Sequence, residues 1–206
     1  MKMTVFFDVL CPFAWRASRW LDLVVAQRPE VQIDWRFFSL EQINTPADSD
    51  WRVWNQAHDY AAAKEGWESY RGLNLFWGAE AVRRQSLAAF QLFRANAYEA
   101  RHVTKSDVTT REGVAAVAAT CGIDMQRYHA DVQDRSLLDV LKRDHEYAVA
   151  QYKAFGVPTL CFDERNAVYV KLSEIVSAAD ALTLFDDVRR DFTTRPWLVE
   201  LKRPNP

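Results

Sequence analysis

A cysteine and a proline stand side by side at residues 11 and 12, inside FFDVLCPFAW, where an apolar run gives way to a stretch of helix-forming residues. Pro12 suits the first position of a helix, because the amide it lacks would be unpaired there and its fixed φ is already helical. Cys11 then falls at the N-cap, with the unbonded amides of Phe13 and Ala14 pointing back at its sulfur and the positive end of the helix dipole behind them. Both effects favour the thiolate over the thiol, so the spacing predicts a lowered pKa and alkylation at mildly acidic pH faster than at any other cysteine of the chain. A thiolate attacks disulfides, electrophilic carbons and peroxides. The competing reading is a small buried thiol without chemistry, which is how free cysteines commonly behave.

A second segment, FGVPT at residues 155 to 159, enters a strand after a long helix. About 5% of Xaa-Pro bonds in folded proteins are cis, and a cis bond at Val157-Pro158 would lay the backbone edge of Val157, Pro158 and Thr159 beside Cys11, where a thiol peptide could dock. The position three residues after Cys11 is Ala14, so no neighbouring sulfur can resolve a mixed disulfide. Cys121, before Gly122 at a helix end, reads as structural; Cys161, two residues past Thr159, reads as a core residue with some prospect of approaching the site.

The elements that must hold these residues follow from hydrophobic period. Thr4 to Asp8 is a buried strand, and Pro12 to Gln27 is an amphipathic helix closed by Pro29. Val31, Ile33, Trp35 and Phe37 alternate with polar residues, as in a strand with one buried face. This β-α-β opening implies two parallel strands joined by a right-handed crossover. From Asp48 to Phe155 strand signals vanish; helices are predicted over Asp107–Thr120 and Ser136–Tyr152, with a loop between Gly72 and Gly78 that carries Leu75, Phe76 and Trp77. Pro158 opens a strand, Asp163 to Asn166 turns, Ala167 to Val170 returns as a second strand, and a last helix is predicted from Ser173 and Glu174 to about Phe192. The order predicts an α/β protein with a thioredoxin-like fold (β-α-β … β-β-α) carrying an inserted all-helical subdomain: residues 1–45 and 156–206 form the thioredoxin-like domain and 46–155 the insertion.

Composition narrows the function classes. The 26 basic and 28 acidic residues are dispersed and leave a net charge of −2, so neither nucleic acid nor a membrane surface is an expected partner. The four histidines have no metal-ligand spacing and the six glycines form no phosphate loop, so no metal and no loop-bound nucleotide is expected. The first ten residues, interrupted by Asp8, do not read as a secretory leader, and three cysteines cannot complete a disulfide framework; both predict a cytoplasmic protein.

FFDVLCPFAW taken together with FGVPTLCFD resembles the DsbA-type thioredoxin proteins, a group that includes FrnE-like oxidoreductases, kappa-class glutathione transferases and 2-hydroxychromene-2-carboxylate isomerases. The resemblance covers nearly the whole chain. RWLDLVVAQRPEVQIDWRFFSLEQIN and the terminal PWLVELKRPNP are most similar to mycothiol-dependent nitroreductases within that group. It implies a thiol-dependent oxidoreductase with Cys11 catalytic and with Pro12, Phe13, Ala14, Trp15, Asn44, Val157, Pro158 and Thr159 around the bound thiol or substrate; Trp15 and Asn44 match a tryptophan and an asparagine of those relatives. The relatives' motif is Cys-Pro-Xaa-Cys, whereas this chain has Ala14, and Lys171 stands where they tend to have glycine and proline. Two mechanisms fit. In one, Cys11 forms a mixed disulfide that a low-molecular-weight thiol (glutathione, mycothiol or bacillithiol) resolves. In the other, Cys11 only donates a hydrogen bond to the thiolate of a bound thiol cofactor, as in the transferases and isomerases. A non-catalytic binding module is the third reading. The expected partners are that thiol and a small hydrophobic or aromatic substrate, in a protein compatible with a homodimer. Trp51, Trp54, Trp67 and Trp77 could line a cleft over Cys11, and ordinary core packing explains them equally well.

Overall fold

Residues 2 to 7, KMTVFF, supply an internal strand of a four-stranded sheet. The computed structural model describes residues 1–46 and 48–203. The sheet holds β1 (Lys2–Phe7), β2 (Gln32–Phe37), β3 (Thr159–Cys161) and β4 (Ala167–Tyr169) in the order β2-β1-β3-β4. β1 runs parallel to β2, with Lys2 opposite Gln32 and Phe7 opposite Phe37. It runs antiparallel to β3, with Phe6 opposite Thr159, and β3 pairs antiparallel with β4. Val5, Phe6 and Phe7 point alternately to opposite faces and all three are buried, so both faces of β1 are covered and its last residues are apolar without alternation.

Helix α1 (Pro12–Gln27) is the crossover between β1 and β2. Its Ala14, Ala17, Ser18, Trp20, Leu21 and Val24 make one buried stripe. Trp20 is fully buried, meets Phe185 edge-on at 6.3 Å and donates from its indole nitrogen to the Ala181 carbonyl at 2.9 Å. Burying a side chain of this size contributes about 3 kcal/mol, so this contact fixes α1 against the last helix. The helices between β2 and β3 are α2 (Leu40–Ile43), α3 (Leu73–Gln85), α4 (Leu87–His102), α5 (Arg111–Ala119), α6 (Met125–Asp131) and α7 (Leu138–Tyr152), and α8 (Ala181–Thr194) closes the chain. The thioredoxin-like order with a helical insertion is therefore present.

Three local expectations are corrected. The stretch from Gly72 to Gly78 is not a loop: Gly72 caps α3, and Gly78 lies inside the helix, where a Cβ would strike Val114 Cγ1 and come within 2.7 Å of Tyr128 Oη. Glycine marks close packing at that position, not a turn. The helix expected over Asp107–Thr120 starts only at Arg111, since Asp107 spends its carboxylate on the Thr109 amide and hydroxyl and Thr110 is the cap. The last helix begins at Ala181 and not at Ser173, because Ser177 and Asp180 bond each other and close a turn before it.

His145 of α7 shows how the insertion locks onto the sheet. It is 5% exposed, its Nδ1 accepts from the Ser39 amide at 3.2 Å, and its ring lies 4.5 Å from that of Phe38. Burial pushes its pKa down to about 4 from 6.5. Because the folded value lies below the unfolded one, the neutral ring's contribution to stability is full above pH 6.5 and is lost as pH falls toward 4. Asp8, raised by burial to about 6, works in the opposite direction over the lower part of that range. His145→Asn retains an acceptor for Ser39 and removes the titration. Between pH 7 and pH 4.5, wild type is expected to lose about 2 kcal/mol more stability than this variant. Denaturant unfolding at the two pH values checks it, and parallel losses would contradict it.

Candidate active site

Cys11 is the N-cap of α1, with φ −82° and ψ 118°, and Pro12 follows at the first helical position. The turn that delivers it is built by Asp8, whose carboxylate accepts from the Leu10 and Leu40 amides, each at 2.9 Å, and whose carbonyl accepts from the Cys11 amide at 3.2 Å. The Ala14 amide donates to Sγ at 3.4 Å. Sγ in turn donates to the Val157 carbonyl at 3.2 Å, across 146 residues of sequence. The Val157–Pro158 bond is cis. Pro158 accepts from the Val170 amide at 3.2 Å and the Thr159 hydroxyl donates to Gly156 at 2.7 Å, so the edge beside Cys11 is pinned from both sides.

The sulfur is not the exposed thiolate that its capping position suggests. Cys11 is 4% exposed, and burial pushes its pKa above the usual thiol value. The Ala14 amide opposes that, the Asp8 carboxylate adds to it, and the Phe13 amide and Arg16 pull the other way without reversing it. Dehydration of the charged form outweighs two amides and one guanidinium. At neutral pH Cys11 is therefore a thiol that donates its proton to a carbonyl, and its alkylation rate rises with pH instead of being high under mildly acidic conditions.

The other named residues divide into two groups. Ala14 and Val157 hydrogen-bond Sγ directly, and Pro12, Phe13, Pro158 and Thr159 adjoin them in sequence: Ala14, Val157, Pro158 and Thr159 are buried, Phe13 is half-buried and Pro12 is exposed. Trp15 is half-buried, and one face of its indole is taken by His102, stacked at 5.2 Å and 11°. His102 is itself fixed by a 2.7 Å bond from Nε2 to the Val9 carbonyl. Asn44 caps the end of α2 and donates to the Leu40 carbonyl at 2.7 Å; no hydrogen bond joins it to the cysteine turn among the described residues. Cys161 pairs with Thr4 in the sheet, with its thiol pushed up to about 12 by burial, and Cys121 is buried and donates to Val117 at 3.4 Å. None of the three cysteines is disulfide-bonded.

The tryptophans do not converge on Cys11. Trp77 stacks on His58 at 3.8 Å beside a cavity of about 190 Å³, Trp54 lies 5.7 Å from His145, and Trp51 packs 6.2 Å from Tyr60. Sequence reasoning missed Asp8 and His102 as the supports of the turn. A lone carboxylate in the apolar run FFDVL was the available signal for Asp8; nothing in the spacing marked His102.

The family model for the DSBA-like thioredoxin domain matches residues 2–187. The chain belongs to that family. Among curated relatives of this DSBA-like protein is the uncharacterized protein Rv2286c of Mycobacterium tuberculosis, 29% identical over 198 residues that make up 96% of this chain and 80% of the relative. Among solved structures, one described as a probable DsbA oxidoreductase, SCO1869 of Streptomyces coelicolor, superposes with a TM-score of 0.63 at 16% identity, covering 100% of this chain and 94% of that one. A 2-hydroxychromene-2-carboxylate isomerase superposes with a TM-score of 0.61 at 14% identity, covering 97% and 100%. Both show that the DSBA-like fold is shared.

Proposed function

We propose that the chain is a thiol-disulfide oxidoreductase working with one cysteine. The observation that carries this reading is the placement of Sγ, 3.2 Å from the Val157 carbonyl beside cis-Pro158 and 3.4 Å from the Ala14 amide, with alanine where a second thiol would stand. An incoming disulfide replaces the Val157 carbonyl as the partner of Sγ. As the thiol proton departs, the Ala14 and Phe13 amides stabilise the anion. The thiolate attacks one sulfur of R–S–S–R′, forming Cys11–S–S–R′ and releasing R–S⁻, which takes up the proton. A small thiol R′SH, reacting as its thiolate, attacks the R′ sulfur of that adduct, restores the Cys11 thiolate and leaves as R′–S–S–R′. The net reaction reduces a mixed disulfide at the expense of a small thiol, with glutathione, mycothiol or bacillithiol as the thiol class. A reducing cytoplasm suits a protein whose three cysteines are all free.

A second reading is favoured by one specific observation: Sγ acts as a hydrogen-bond donor and its pKa is raised. A group held protonated at that position suits orientation of a bound thiol's anion for transfer or isomerisation without covalent turnover. The experiment that tests the first reading is peptide mapping of the protein after exposure to oxidised small thiols. It is expected to find one adduct, on Cys11; an unmodified Cys11 under conditions where the protein turns over would favour the second.

A further inference from the structure

We infer that Arg16 and Lys171 form an anion-recognising pair at the mouth of the cysteine site, which makes the preferred ligand a small thiol or disulfide bearing carboxylates. This rests on the proposed function and names its ligand class. Arg16 lies on α1, five residues after Cys11, and donates from Nη1 to the Leu172 carbonyl at 3.1 Å. That bond ties the start of the helix to the segment leaving β4. Lys171 follows Val170, whose amide bonds the Pro158 carbonyl at 3.2 Å. The two side chains come from segments far apart in sequence and meet on one ring: the Phe13 centroid is 5.5 Å from the Arg16 guanidinium carbon and 4.3 Å from Lys171 Nζ.

Two like charges over one aromatic ring repel each other, and cation–π attraction at such a surface site offsets only part of that. Among the described residues no acidic side chain lies within 4.0 Å of either cation, and Lys171 makes no side-chain hydrogen bond. The pair's positive charge, which bears on Cys11 through Arg16, is therefore left uncompensated beside the two segments that hold the sulfur, where a ligand's carboxylate completes it. A thiol built only from uncharged sugar and amide groups gains nothing from this pair; one with free carboxylates does.

S-methylglutathione is the probe, since it keeps both carboxylates and has no thiol with which to react. Wild type, Arg16→Gln/Lys171→Gln, Lys171→Gln alone and the charge-keeping Arg16→Lys/Lys171→Arg are titrated by calorimetry at low and moderate salt. The neutral double variant is expected to bind about tenfold or more weakly, the single variant to fall between, and the charge-keeping variant to stay close to wild type. The dimethyl ester of the probe is expected to bind wild type as weakly as the acid binds the double variant, and added salt to weaken only the acid. Lys171→Gln keeps the inference testable if loss of the Arg16–Leu172 bond loosens the fold. Equal binding of acid and ester, equal binding by wild type and the neutral variants, or no binding to wild type would each overturn the inference. Binding that follows the charges while Cys11 forms no adduct would leave the anion pair standing and remove the exchange chemistry.

Discussion

Cys11→Ser is expected to lower the rate of disulfide reduction by about 1000-fold or more and to eliminate covalent adducts at residue 11. A serine hydroxyl can take the place of the thiol as donor to the Val157 carbonyl and as acceptor of the Ala14 amide, so the turn and the fold remain. It cannot form a disulfide. The substitution therefore separates covalent from non-covalent use of the site: an exchange enzyme loses its activity, while a site that only orients a bound thiolate keeps most of it, because a hydroxyl donates as well as a thiol does. The measurement is turnover of a glutathione mixed-disulfide substrate by both proteins, with unfolding curves to show equal stability. Retention of more than about a tenth of the wild-type rate would contradict the one-cysteine exchange mechanism.

Ala14→Cys is expected to have the largest effect in the opposite direction. Ala14 lies on the first turn of α1, is 1% exposed, and its amide already reaches Sγ at 3.4 Å, so a sulfur on its Cβ enters the same turn. Intramolecular attack by a positioned thiol has an effective concentration orders of magnitude above that of a free thiol, so the mixed disulfide on Cys11 should collapse into an internal disulfide about a hundredfold faster than it is cleared from outside. The variant should then reduce or oxidise protein disulfides in a two-cysteine cycle that the natural chain lacks. The extra atom enters a packed site, at a cost of about 1 kcal/mol. Rapid-quench mass analysis of adduct decay checks it, and an adduct as long-lived as in wild type would show that the introduced thiol cannot reach Cys11.

How far the sequence carries this account depends on whether local or distant residues decide each feature. The strand, the Cys-Pro cap, α1 and the hairpin after Pro158 depend on residues near in sequence, and their outlines agree with the structure. Gly78 was misread because its reason for being glycine is Val114 and Tyr128, far along the chain. The charge state of Cys11 was misread for the same kind of reason. The amides that stabilise a thiolate are two and three residues away and visible in the motif, whereas the Val157 loop that buries the sulfur lies 146 residues away, and burial is the larger effect. The surroundings of Trp15 are likewise set from a distance: His102, at the end of α4, covers one face of the indole that the resemblance places beside a ligand. The Phe13, Arg16 and Lys171 arrangement joins the two ends of the domain and has no signature in either segment alone.

The central claim is that Cys11 is the one exchanging sulfur and that nothing within the protein resolves what forms on it. Intact-mass and peptide-mapping measurements on the reduced protein, treated with oxidised glutathione, mycothiol or bacillithiol at pH 8, test it most directly. A single adduct on Cys11 is the expected result, with Cys121 and Cys161 unmodified and the adduct persisting until reduced thiol is added. Modification spread over the three cysteines, or a Cys11 adduct that disappears without added thiol, would contradict it.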